Sequence, residues 1–228
     1  MVDISVVTVG ISPMEVLIPV WFYIFSGLAY FASSAISLAV SYFALRIYRT
    51  SGSKKFLALG IVFLVLGISY LALTMASIYT YFYVPYFSNT LGIPLGLVND
   101  KAFDFYYATS LIAYLLLVIS FFPKEAKDKL KNKFYILYVP LWFSSASGFH
   151  IASLFLLAFV VARALHNFYK SRSLNTLLVL VAFSLMAIFH VTTMLLPFDL
   201  TLYLLSHALL AAGFVSLLAM LIRVSRSG

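Results

Sequence analysis

A chain of 228 residues that is 64% hydrophobic, 10% charged and +1.06 in mean hydropathy has too little polar surface to coat a water-soluble globule. Its net charge of +8 lies in short stretches beside apolar runs, so it reads as membrane topology and attraction to anionic lipid headgroups rather than as a nucleic-acid footprint. No cysteine occurs, which excludes disulfides, thiolate metal sites and a cysteine nucleophile.

The opening stretch has no basic leader and no small-residue cleavage site, and it carries Asp3 and Glu15. The first apolar run is therefore expected to stay in the mature protein. A bilayer core of ~30 Å needs ~20 apolar residues per helix. Runs of that kind fall at 17–46, 56–86, 104–122, 134–147, 149–168, 174–196 and 201–222. They predict an all-α, polytopic integral membrane protein, a seven-helix bundle forming one domain over 1–228.

The first run is rich in small residues (Ser26, Gly27, Ser33, Ser37, Ser41), which points to close helix packing. The first two runs exceed a bilayer thickness and should tilt or protrude. The outer connection from Pro85 to Asp104 holds Asn89, Gly92, Pro94, Gly96 and Asn99, and is placed to cover the outer half of the bundle. Lys124 to Lys133, interrupted by Glu125 and Asp128, reads as a solvated or headgroup-level amphipathic stretch. The Tyr and Phe near segment ends read as interfacial anchors.

Phe134 to Tyr169 as one helix would span ~54 Å, and both of its flanks are basic. A hairpin fits better, with its turn at Ser144-Ser145-Ala146-Ser147-Gly148, where Gly148 is able to take a positive φ. Pro140 weakens the helix leading into it. A helix from Phe134 to Ser147 rises only ~21 Å, which sinks the turn below the outer surface. Irregular backbone at that depth is buried in protein or lines a wet cavity. The turn is thus a candidate site, or alternatively a packed helical hairpin.

Fourteen of the fifteen Lys and Arg fall on one side of these runs; Lys101 is the exception. Asp3, Glu15, Asp100, Asp104 and Asp199 fall on the other. The positive-inside rule then places the amino terminus outside and the carboxy terminus in the cytoplasm, in a cell membrane.

His190 lies ~10 Å below the outer end of the sixth run and His207 ~12 Å below the outer end of the seventh, so the two are level. His150 opens the fifth run at a similar depth. Three imidazoles from three helices suit a divalent metal such as zinc or copper, and two of them suit haem b packed by Met186, Phe189 and Met194. Helix-helix hydrogen bonding is the alternative reading. His166, beside Arg163 and Asn167 at the cytoplasmic end of the fifth run, reads as a snorkelling interfacial residue.

Ser145-Ala146-Ser147-Gly148, with His207 near the top of the last descending run, resembles the GxSG and histidine dyad of rhomboid intramembrane proteases. The resemblance implies Ser147 as nucleophile, His207 as its base and nearby backbone amides as the oxyanion site. The chain departs from that pattern at Ser145, at Leu210 and Phe214, and at Phe105 to Tyr107, where the family carries its first motif glycine, its packing glycines and an HxxxN.

The seventh run has no lysine for a retinal Schiff base, no carboxylate lies mid-membrane, and no inverted repeat with paired broken helices is evident. No soluble output domain is expected after Gly228, so a sensor of this form would be expected to signal through a partner. The leading expectation is a membrane subunit holding haem or a metal ion through His150, His190 and His207, for electron transfer or sensing with other membrane subunits. A metal-dependent or rhomboid-like intramembrane hydrolase is the second, and a cofactor-free structural or assembly subunit the third.

Overall fold

Apolar runs punctuated by Ser-Gly-Ser and Ser-Arg-Ser become long helices joined by tight turns. The structure, a computed structural model, describes residues 6–8, 17–19, 21–87, 96–121, 146–196 and 201–227. The helices are α1 (Trp21–Ser51), α2 (Lys54–Phe87), α3 (Gly96–Phe121), α4 (Ala146–Ser171), α5 (Leu174–Met194) and α6 (Thr201–Ser227). Six helices among the described residues are long and apolar enough to cross a membrane. The chain is thus an all-helical membrane protein with several transmembrane-like helices, apart from one short ribbon. In that ribbon β1 (Val6–Thr8) pairs antiparallel with β2 (Leu17–Pro19), Val7 opposite Ile18. The first apolar run was expected to be helical from residue 17; β-branched residues and Pro19 favour extended backbone there, and α1 begins at Trp21.

The fourth expected run, 134–147, lies outside the described residues except for its last two. Those two, Ala146 and Ser147, open α4, and Gly148 follows within it. The turn expected at Ser144 to Gly148 is therefore corrected over 146–148. Among the described glycines a positive φ occurs at Gly52 alone, so Gly148 uses helical backbone, which its small neighbours admit.

Both hairpin turns stop a helix by the same device. Gly52 takes φ +66° and its N–H donates to Tyr48 O at 2.8 Å; Arg172 takes φ +50° and donates to Phe168 O at 2.8 Å. Each single left-handed residue satisfies a last-turn carbonyl and reverses the chain. Ser173 then caps α5, its Oγ accepting from the Thr176 N–H at 3.3 Å.

Lipid offers no hydrophobic force between helices, so close approach and hydrogen bonds must hold them. In the α1–α2 seam Ser34, Ser37 and Ser41 donate to the carbonyls of Gly67, Phe63 and Gly60 at 2.8, 2.9 and 2.8 Å. Gly60 and Gly67 permit that approach, since an added Cβ would stand 2.7 and 2.8 Å from Leu45 and Leu38. Ser216 does the same between α6 and α5, donating to Leu178 O at 3.0 Å. Large apolar side chains such as Leu28, Phe31, Met75, Phe155 and Leu204 face outward, as in a protein dissolved in lipid.

Packing runs in sequence from α1 to α6, and α6 returns to α1, closing a ring of helices. α5 is antiparallel to α4 across the tight turn at Arg172, and it is antiparallel to α3, with Tyr114 against His190 and Phe121 against Phe183. Consequently α3 and α4, consecutive among the described helices, run the same way. Their amino-terminal halves meet where Tyr107 stacks on Phe149 at 4.4 Å.

Candidate histidine and tyrosine site

His150 stands in the first turns of α4 and His190 in the last turn of α5, and antiparallel packing brings them to one level. Their Nδ1 atoms are 2.9 Å apart. One Nδ1 must carry the hydrogen and the other must offer its lone pair. His190 Nε2 in turn lies 3.3 Å from the hydroxyl of Tyr114 on α3. The chain Tyr114–His190–His150 is internally consistent in either direction: when His190 accepts at Nδ1 it donates from Nε2 to the phenol oxygen, and when it donates at Nδ1 it accepts from the phenol. His190 and Tyr114 are fully buried, and His150 nearly so. Three helices are tied by these two bonds.

His207 on α6 is held differently. Its Nδ1 lies 3.0 Å from the carbonyl oxygen of Tyr203, one turn earlier. A carbonyl can only accept, so Nδ1 carries the hydrogen and a neutral ring leaves Nε2 as a bare lone pair. That Nε2 is buried without a hydrogen-bond partner. The ring packs against Tyr203, Tyr30 and Phe189, with centroids at 4.2, 5.3 and 6.1 Å.

Ring contacts link the two places into a closed circuit. From Tyr30 on α1 it passes to Tyr70 on α2 at 6.4 Å, Tyr106 on α3 at 5.2 Å and Phe149 on α4 at 5.3 Å. It continues to His190 on α5 at 5.6 Å, then Phe189 at 5.0 Å and His207 on α6 at 6.1 Å, and returns to Tyr30 at 5.3 Å. Every described helix contributes a ring. The hydroxyls of Tyr70 and Tyr106 are 3.2 Å apart on this path.

Of the residues singled out in the sequence, His150 and His190 meet directly, while His207 is separated from them by Phe189. Among the described residues no three His, Cys, Asp or Glu gather closely enough to hold a metal ion. Ser147 is exposed in the first turn of α4, and α4 and α6 are not neighbours in the ring of helices. The structure does not bring Ser147 and His207 together. His166 and Asn167 are exposed, Arg163 half-exposed. The tyrosines were missed as site residues. Tyr70 and Tyr114 lie mid-segment, too deep for an interfacial anchor, and that depth was the available signal.

The donor set can be compared with the groups expected of it. Two imidazoles at 2.0–2.1 Å from a tetrahedral ion stand about 3.3 Å apart. The Nδ1 pair at 2.9 Å would need to part by a few tenths of an ångström, with the hydrogen between them lost and both lone pairs turned toward the ion. Axial ligands across a haem iron stand about 4 Å apart with the macrocycle between them, and these rings, with centroids 5.2 Å apart and in direct hydrogen bond, do not fit that arrangement. No known family model matches the chain, and neither a curated protein nor a solved structure is similar to it.

Proposed function

We propose that this is a multi-pass subunit of a cell membrane that holds a transition-metal ion on His150 and His190, serving electron transfer or sensing with partner membrane subunits. The observation that carries the reading is the facing pair of Nδ1 atoms at 2.9 Å, with Tyr114 on the far nitrogen of His190. Metal-bound imidazoles commonly give their other N–H to a second group that fixes tautomer and ring orientation, and the Tyr114 hydroxyl is placed to be that group. Copper would supply one-electron exchange and zinc a Lewis acid. With two protein nitrogens identified, water or a partner subunit would complete the shell.

Elemental analysis of protein purified from a host supplied with zinc and copper tests this. One equivalent is expected in the wild type and in His166→Ala, and none in His150→Ala or His190→Ala. Full occupancy in all variants, or no metal in any, defeats the reading. It would leave the second, a cofactor-free structural subunit, which is favoured by the fact that 2.9 Å is also the length of a direct imidazole-imidazole hydrogen bond.

The topology we propose has seven crossings, the amino terminus outside and the carboxy terminus in the cytoplasm. Two observations support it. Parallel α3 and α4 are what one further crossing between them would produce. The basic residues Arg46, Arg49, Lys54, Lys55, Lys170, Arg172, Arg223 and Arg226 all lie at the end of the bundle away from Asp100 and Asp104, where anionic cytoplasmic headgroups would meet them.

A further inference from the structure

His207 carries an unused hydrogen-bonding group in a place where leaving one unused is costly. Its tautomer is fixed by the Tyr203 carbonyl, so the buried Nε2 can only accept. The residue is nine-tenths buried, at 9% exposure. A hydroxyl in such a place could rotate to find a partner; a ring nitrogen pinned at its other end cannot. Whatever satisfies it must bring a donor.

The surroundings restrict that donor. Tyr30, Tyr203 and Phe189 wall the imidazole on the α1, α6 and α5 sides. Every buried polar residue described in the bundle is Ser, Thr, Tyr or His, with no buried carboxylate to neutralise a cation and no buried Lys or Arg to receive an anion. An ionic ligand would be stranded in low dielectric. On the same turns of α1 and α6, Leu28, Phe31 and Leu204 face lipid at 60, 57 and 67% exposure, so the approach is from the bilayer.

We propose that His207 anchors a binding site, between α1, α5 and α6, for an uncharged lipid-soluble molecule that presents a hydroxyl on a flat ring, the phenol class. The ring stacks among Tyr30, Tyr203 and Phe189, and its O–H donates to His207 Nε2. Such a ligand arrives dissolved in the membrane and gives up no hydration shell to enter. The site does not depend on the metal reading, because none of its groups is His150 or His190.

The test uses the full chain in lipid nanodiscs with nitrogen-15 histidine, phenol as the probe, and anisole as the same ring without a donor. The His207 Nε2 resonance, assigned by its loss in His207→Phe, is expected at the position of a bare imine-type nitrogen. Phenol should move it saturably toward the hydrogen-bonded position, and anisole should not. Phenol should also raise the melting temperature of the wild type and leave that of His207→Phe unchanged. If that variant does not fold, the contrast between phenol and anisole on the wild type decides alone. An Nε2 already hydrogen-bonded before phenol is added, a non-saturating response, or an equal shift with anisole overturns the proposal.

Discussion

Tyr114 converts two neighbouring imidazoles into an oriented pair, because its hydroxyl is the group that meets the far nitrogen of His190. Tyr114→Phe should cost about 1 kcal/mol of stability, the net worth of one buried hydrogen bond, read as a lower melting temperature. Under the metal reading the same substitution should weaken metal affinity ~10–100-fold with both ligands intact, the usual effect of losing an outer-shell partner. Equal affinity in the two proteins would remove Tyr114 from the site. Ser147 gives the opposite expectation. Exposed in the first turn of α4 and without His207 beside it, it should not react with a fluorophosphonate probe. Labelling that disappears in His207→Ala would reinstate the hydrolase alternative. Depth was legible in the sequence, since counting from Pro197 and Asp199 puts His190 and His207 on one level. Azimuth was not, because a count of residues says nothing of which helix a side chain faces, and so the Phe189 barrier and the Tyr114 contact emerged only from packing.

α1 and α4 each end at a left-handed residue, Gly52 and Arg172. Arg46 and Arg49 lie within α1, and Lys54 and Lys55 open α2, with Gly52 making the break. Reading the helix limit from basic residues therefore ended the first helix at 46 rather than at Ser51, although the number and kind of helices up to α3 were plain from hydropathy, unlike the β1–β2 ribbon. Arg172 adopts the same backbone without the freedom of glycine. Arg172→Gly should stabilise the α4–α5 hairpin by up to about 1 kcal/mol and Gly52→Ala should destabilise the α1–α2 hairpin by a similar amount. Thermal unfolding in detergent distinguishes the two signs. Within the α1–α2 seam, Gly67→Val should cost about 1–3 kcal/mol. Its side chain would press on Leu38 and pull the Ser34 and Ser37 hydroxyls from their carbonyls. A seam that tolerates Val would show that these contacts are not what joins the two helices.

Six apolar helices in a ring among the described residues mark a membrane protein, and the asymmetric distribution of Lys and Arg supplies its proposed orientation. Because the chain is free of cysteine, that orientation is directly measurable. In intact cells Lys101→Cys should react with an impermeant maleimide, and Ser51→Cys should react only after the membrane is opened. Replacing Lys101 removes just an exposed pair with Asp104, which is of little consequence to the fold. Reversed labelling would turn the histidine level toward the cytoplasm and reverse every depth assigned above.

The closed circuit of rings also places the His150–His190 pair and the His207 lone pair on one continuous path of contacts. Ring contacts connect them by a short path through Phe189 and by a long one through Phe149, Tyr106, Tyr70 and Tyr30. If the Nδ1 atoms part to admit an ion, the displacement is expected to reach Phe189, which touches both His150 and His207. An ion at one end should then change the affinity for phenol at the other, and phenol must change the affinity for the ion by the same factor, since linkage is reciprocal. Phe189→Leu removes the shared ring while leaving both histidines, so phenol should bind more weakly and the factor should fall toward one. A membrane protein built this way would report, at its lipid-facing seam, what its buried imidazoles hold.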